Sequence, residues 1–150
     1  MEELNFDIVV VGGGPAGSSA AHMAAKNGCT VALIEKEKEI AETVRTSGVT
    51  WISDINEFGI PKECYNPIKK FSFCSPKNYV TITDNVAKAA VLDVRKTYRF
   101  LATRSKSSGS ELFTGTNVSE VLKNSAGKCV GVVAKSQGKL IQFNAKVVID

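Results

Sequence analysis

Two short unbroken apolar runs stand near the start of the chain, DIVVV at Asp7 to Val11 and TVALIE at Thr30 to Glu35. Neither alternates between apolar and polar residues, so each predicts a strand buried on both faces, as in a parallel sheet. Between them the period changes. Small residues at Gly17, Ala21, Ala24 or Ala25, and then Gly28 recur at steps of three and four. That spacing puts them on one face of a helix able to lie close to a sheet. Pro15 suits the first helical turn, where its missing N–H costs nothing, and Gly28 suits the stop. Residues 7–35 therefore predict a strand–helix–strand unit.

Farther along the periodicity weakens. A charged segment whose run EKEKE reads as a solvated face is followed by a loop, and residues 53–67 read as a short helix and turns broken by Gly59, Pro61 and Pro67. KKFSFCS and NYVTIT flank Pro76–Lys77 and predict a β-hairpin, whereas VLDVRKTYRFLATRSKSS predicts a helix with Asp93 near its N-cap and Gly109 near its end. The remainder, ELFTGT, VSEVLKN, KCVGVVAKS and KLIQFNAKVVID, is β-rich, and the turns NSAG and SQG make its last three segments a short antiparallel meander. The fold class expected is α/β, a Rossmann-like FAD/NAD(P)-binding domain with an inserted β-hairpin and an antiparallel β-meander. Trp51 and Phe58 read as core side chains, with a hydrophobic substrate channel as the alternative.

Composition narrows the chemistry. With 43% hydrophobic and 23% charged residues in 150, the chain is ordinary for a globular domain. The net charge of +4 is scattered, without a basic stripe interleaved with aromatics, which argues against a nucleic-acid surface. Cys29, Cys64, Cys74 and Cys129 form no C-x-x-C pair, and His22 is the single histidine. A zinc site and a histidine-based triad are thereby disfavoured. No apolar run reaches the roughly 18 residues of a membrane span. The start, MEELNFD, is acidic and unlike a signal peptide, so a cytoplasmic protein is expected. Ending on the β-prone run AKVVID, the sequence reads as the N-terminal part of a longer protein, a truncated FAD-binding domain over 1–150 with a partial substrate-side insertion at about 50–90.

The glycines after the first strand carry the chemistry. Gly12, Gly14 and Gly17 occupy the three positions of G-x-G-x-x-G between a strand and a helix, and Glu35 closes the next strand, at the acidic position expected about 20 residues on. Gly12 permits the tight turn, Gly14 lets the backbone approach a pyrophosphate, and Gly17 lets helix and strand pack closely. Gly13, Pro15 and Ala16 complete the loop and Lys36 follows the acid. The helix N-terminus offers N–H groups and partial positive charge to phosphates. Glu35 can accept hydrogen bonds from both ribose hydroxyls, and its charge repels a 2′-phosphate. FAD and NAD share the ADP half, so the motif alone leaves both open.

The stretch from Asp7 to Lys36, with Gly-Pro-Ala-Gly at Gly14–Gly17, resembles the N-terminal FAD-binding segment of the flavoprotein group that contains aromatic hydroxylases and geranylgeranyl reductases. FSFCSPKNYVTI resembles the hairpin of the geranylgeranyl reductase family, VLDVRKTYRFLATRS the helix after it, and the segment from Gly115 to Asp150 the meander that leads to that family's next flavin motif. The resemblance implies FAD as cofactor and an oxidoreductase in which reduced FAD passes hydride to isoprenoid double bonds. It implies a small-molecule or isoprenoid-lipid substrate, NAD(P)H or a reduced carrier protein as electron donor, and contact with the cytoplasmic face of a membrane as an option. A flavin monooxygenase and a dinucleotide-binding fragment without turnover are the alternatives.

By the same resemblance, Arg45 contacts FAD phosphate or ribose, with a solvated surface arginine as the competing reading. Gly48 stands in the family's flavin-side Cys-Gly pair, here Ser47–Gly48, so no thiol role carries over. Arg95 reaches FAD from the helix start, although the family's Asp-Arg is here Asp93–Val94 with Arg95 next, and Thr97–Tyr98 replace Phe-Asp. Val118 offers backbone contacts to adenine or is a core valine. No residue presents itself as a catalytic acid, base or nucleophile, as expected where a flavin carries the chemistry.

Overall fold

The computed structural model describes residues 1–150, which divide into two compact units: Met1–Val44 with Tyr98–Asp150, and Arg45–Thr97. The first unit holds strands β1 (Glu2–Val11) and β2 (Val31–Ile34) with helix α1 (Pro15–Lys26) between them. It also holds β8 (Glu111–Phe113), β9 (Thr116–Lys123), β10 (Cys129–Ser136) and β11 (Lys139–Ile149). These strands form one six-stranded sheet in the order β8-β2-β1-β11-β10-β9. The pairs β8–β2, β2–β1 and β1–β11 are parallel, whereas β11–β10 and β10–β9 are antiparallel. The predicted meander is thus present, and its last strand inserts beside β1 in the central sheet.

Both faces of β2 and of the end of β1 at Val9 and Val10 are buried, as their unbroken apolar runs require. Val10, Val31 and Leu33 pack with Ala21 and Ala25 of α1. Val9, Ala32 and Ile34 face the other way, onto Val132, Ala134 and Phe143. Phe143 is fully buried and meets Phe113 edge-on at 5.0 Å; burying a ring of that size contributes about 2–3 kcal/mol. Strand β1 begins at Glu2, five residues before the apolar run, because Glu2 to Phe6 pair with Ile141 to Ala145 of β11. That long-range partner has no local signature. Asp7 ties three strands together by accepting from the Thr30 N–H and hydroxyl, each at 2.9 Å, and pairing with Lys146 at 2.7 Å. The Lys146 ammonium and the Thr30 donors pull the Asp7 carboxyl down to about 2.

The second unit holds β3 (Val49–Trp51), α2 (Ile52–Glu57), a single 3-10 turn (Lys62–Cys64), β4 (Tyr65–Ile68), β5 (Lys70–Cys74), β6 (Tyr79–Thr83) and β7 (Ala89–Leu92). Strands β3, β7 and β4 form an antiparallel sheet in that order, and β5 with β6 forms the predicted hairpin. The small sheet lies where loops and turns were expected, since strands of three or four residues are too short to show a period. Its centre is β7, whose buried Ala89 and Ala90 pair with both neighbours. The third helix, α3 (Val94–Ser107), accordingly starts later than its apolar pattern. Asp93 caps it, accepting from the Lys96 N–H at 3.1 Å. Trp51 and Phe58 are exposed rather than in the core, at 55% and 46%. No helix is long and apolar enough to cross a membrane.

Candidate dinucleotide site

The end of β1 turns sharply into α1. Gly12 adopts φ +102°, a left-handed conformation that a side chain resists, while its N–H donates to the Ile34 carbonyl at 2.7 Å. A Cβ on Gly17 would stand 2.0 Å from the Gly12 carbonyl oxygen, so helix and loop approach as closely as backbone allows. A Cβ on Gly13 would meet the Ile40 Cδ1 at 2.5 Å and the Glu35 Cβ at 3.1 Å. Gly14 differs from all three. It has an ordinary φ of −70°, and apart from Gly14 and its two chain neighbours no protein atom lies within 4 Å of where its Cβ would be. The space in front of Gly14 is free for something other than protein.

Gly14 is the N-cap of α1, with Pro15 following at the first helical position, and Ala16 is exposed beside it. No side chain caps this end and no acidic residue occupies the first turn. The partial positive charge of the terminus is therefore not neutralised from within. Ser18 stabilises the loop from behind, donating its hydroxyl to the Gly13 carbonyl at 3.1 Å.

Glu35 stands beside this opening. Its Oε2 accepts the Gly13 N–H at 2.7 Å and its Oε1 the Glu37 N–H at 2.9 Å. Each carboxylate oxygen can accept more than one hydrogen bond, so acceptor capacity for a diol remains. Open space at Gly14, an uncapped helix end and a carboxylate beside the glycine loop together fit the ADP half of a dinucleotide. Glu37 and Ile40, absent from the sequence reading, build the wall behind Glu35. The one signal for Ile40 was an apolar residue at the end of the charged run EKEKE.

Of the other expected residues, Lys36 is exposed directly after Glu35. Val118 pairs with Ala134, and its half-buried side chain packs against the central apolar cluster. Arg45, Gly48 and Arg95 belong to the second unit. Arg45 is exposed. Gly48 has a local reason to be glycine: at φ +74° a Cβ would meet the Val94 Cγ2 at 2.7 Å and the Leu92 carbonyl oxygen at 2.9 Å. Val94 is buried and Arg95 exposed, so at the start of α3 it is Val94 that turns inward.

Comparison with known proteins gives a consistent picture. Residues 7–150 match the family model described as FAD dependent oxidoreductase. The digeranylgeranylglycerophospholipid reductase of Methanocaldococcus jannaschii is 36% identical over 155 residues, covering 99% of this chain and 39% of that protein. The protein of the same name from Methanococcus vannielii is 33% identical, covering 98% of this chain and 38% of that one. The crystal structure of a geranylgeranyl bacteriochlorophyll reductase-like protein from Thermoplasma acidophilum superposes with a TM-score of 0.89 at 27% identity, over 97% of this chain and 38% of that one. The chain thus spans about two fifths of the length of these relatives.

Proposed function

The chain belongs to the FAD dependent oxidoreductase family, and from that membership we propose that it binds FAD and serves the reduction of isoprenoid double bonds. The observation that carries the cofactor reading is the open space at Gly14, bordered by the uncapped end of α1 and the Glu35 carboxylate. Gly12, Gly13, Gly14, Pro15, Ala16 and Gly17 form the loop we assign to the pyrophosphate, with the Ala16 and Gly17 N–H groups of the first helical turn as its donors. Glu35 accepts the hydroxyls of the adenosine ribose and excludes a 2′-phosphate by charge. Lys36, Arg45, Gly48, Arg95 and Val118 are the further contacts we assign.

When bound, FAD supplies hydride transfer. What this chain contributes in that reading is grip and orientation of the ADP half. The isoprenoid-lipid substrate is proposed from relatives named digeranylgeranylglycerophospholipid reductase, of which the chain covers 38–39%. The electron donor we assign is NAD(P)H or a reduced carrier protein, and the substrate class makes contact with a membrane surface part of the same proposal.

Purified protein titrated with FAD, with flavin fluorescence as readout, tests the cofactor. A saturable change in flavin fluorescence that NADP does not compete away is expected; a colourless protein that takes up NAD in place of FAD overturns the reading. For the reaction, saturation of an isoprenoid lipid supports the reductase. Oxygen consumption coupled to NAD(P)H and yielding peroxide or a hydroxylated product would move the assignment to a monooxygenase.

A further inference from the structure

The segment after β2 looks in sequence like a solvated run of charges, yet it is folded tightly by its own acids. Besides the Glu35 contacts, Glu37 Oε2 accepts the Thr43 N–H at 3.0 Å and Glu42 Oε2 accepts the Lys38 N–H at 3.0 Å. The Gly115 N–H donates to the Glu37 carbonyl at 2.7 Å. Ala41 adopts φ +58°, a left-handed conformation unfavourable for a residue with a Cβ. Such a turn persists only where surrounding contacts over-determine it.

Ile40 shows what the turn is for. It is 6% exposed and wedged between two elements. On one side its Cδ1 fills the space that a Gly13 side chain would need. On the other it clusters with Ala41 and with Ala102 of α3, bordered by Tyr98 and Leu112. Arg99 of α3 closes this arrangement from outside. Its Nη2 donates to Glu39 Oε2 at 2.5 Å and its Nε to the Ile40 carbonyl at 3.4 Å. An exposed ion pair by itself contributes little. Here the same guanidinium also satisfies a backbone carbonyl of the strained turn, a two-point hold that suits the planar fork of arginine.

We propose that Arg99 is a positioning residue for the dinucleotide loop. Its guanidinium holds Glu39–Ala41 against α3, the turn holds Ile40 against Gly13, and Gly13 keeps its N–H on Glu35. The order of the glycine loop therefore depends on a residue one helix away that acts through Ile40. The consequence for FAD rests on the cofactor reading above; the consequence for the loop does not.

Two readouts on the same protein test this. Hydrogen exchange is followed at Gly12–Gly14 and, as an internal reference, in β1 and β11; FAD affinity is followed by flavin fluorescence. In Arg99→Ala, exchange at Gly12–Gly14 accelerates while β1 and β11 stay as in the wild type. FAD binding weakens about tenfold, the scale on which residues outside a site modulate it. Arg99→Lys, which keeps the charge opposite Glu39 but loses the two-point fork, recovers part of both effects. Unchanged exchange at Gly12–Gly14 in Arg99→Ala overturns the proposal. So does equal acceleration through β1 and β11, which would make Arg99 a contributor to global stability only. Wild-type protein that takes up no FAD would sink the cofactor reading, while the exchange measurement would still decide the role of Arg99.

Discussion

The glycine loop in the first unit and the β5–β6 hairpin in the second meet opposite fates from equally clear sequence patterns. In the hairpin, the register Phe71–Ile82 and Phe73–Val80 puts four apolar side chains on one face. Ser72 and Thr81 bond to each other at 2.7 Å on the other face. This is the alternation of a half-buried sheet. Yet Phe73, Val80 and Ile82 are 60%, 56% and 43% exposed. A cavity of about 390 Å³ opens beside them, lined among others by Trp51, Phe71 and Phe73. In the loop, by contrast, Gly12, Gly13 and Gly17 are each dictated by their own backbone angle or by atoms that a Cβ would strike. A binary pattern says which face wants burial. Only neighbours within a few ångströms make a residue irreplaceable.

Substitutions graded by expected effect test that difference. The largest is Gly17→Ala, whose methyl would stand 2.0 Å from the Gly12 carbonyl oxygen. The loop and helix must part to admit it, and urea unfolding is expected to show a loss of about 3 kcal/mol, at the upper end for overpacking. A wild-type-like midpoint would mean that the close approach of α1 is not obligatory.

Gly14→Ala probes the same motif with the opposite balance. Since nothing of the protein beyond the adjoining residues lies within 4 Å of the new methyl, unfolding stability should fall by less than about 1 kcal/mol, the cost of a poorer N-cap. FAD affinity should nevertheless fall about ten- to a hundredfold, as a steric misfit of about 1–3 kcal/mol at the pyrophosphate requires. If stability fell and FAD binding survived, the space at Gly14 would serve packing and not a ligand.

A smaller effect lies in pH. The His22 Nδ1 of α1 lies 2.8 Å from the Ser108 hydroxyl, which itself lies 3.1 Å from the Arg104 carbonyl. Burial first, and then the Arg104 and Lys26 charges, lower the His22 pKa below its usual 6.5. The unfolded chain therefore binds more protons just below pH 6.5. Stability is intact above 6.5 and falls as the pH drops from there through the lowered native value. His22→Gln should flatten unfolding midpoints measured from pH 7.5 to 5.5; an unaltered slope would remove His22 as its origin.

The smallest effect is expected in the hairpin. Phe73→Ser removes a ring that is 60% exposed, and stability should change by no more than about 0.5 kcal/mol. A loss of several kcal/mol in thermal unfolding would mean that the apolar face is covered in solution.

Much of the first unit was legible because its signals are local. Unbroken apolar runs, a small-residue helix face and G-x-G-x-x-G each depend on residues close in sequence, and they specify β1, α1, β2 and the site between them. The β3-β7-β4 sheet was not legible, since strands of three or four residues carry too little periodicity. The start of β1 was not either, because Glu2 to Phe6 are strand only by pairing with β11. The run EKEKE read as solvated charge, although its glutamates fold the turn behind Glu35.

By itself the sequence determined that a strand, a glycine loop and a helix would present backbone N–H groups beside an acid, since covalent geometry and short-range sterics suffice for that. Tertiary structure alone decided that Ile40 fills the place of a Gly13 side chain, that Arg99 holds Ile40, and that Val94 rather than Arg95 turns inward. Those outcomes depend on which surfaces meet across dozens of residues, and no local pattern encodes such a meeting.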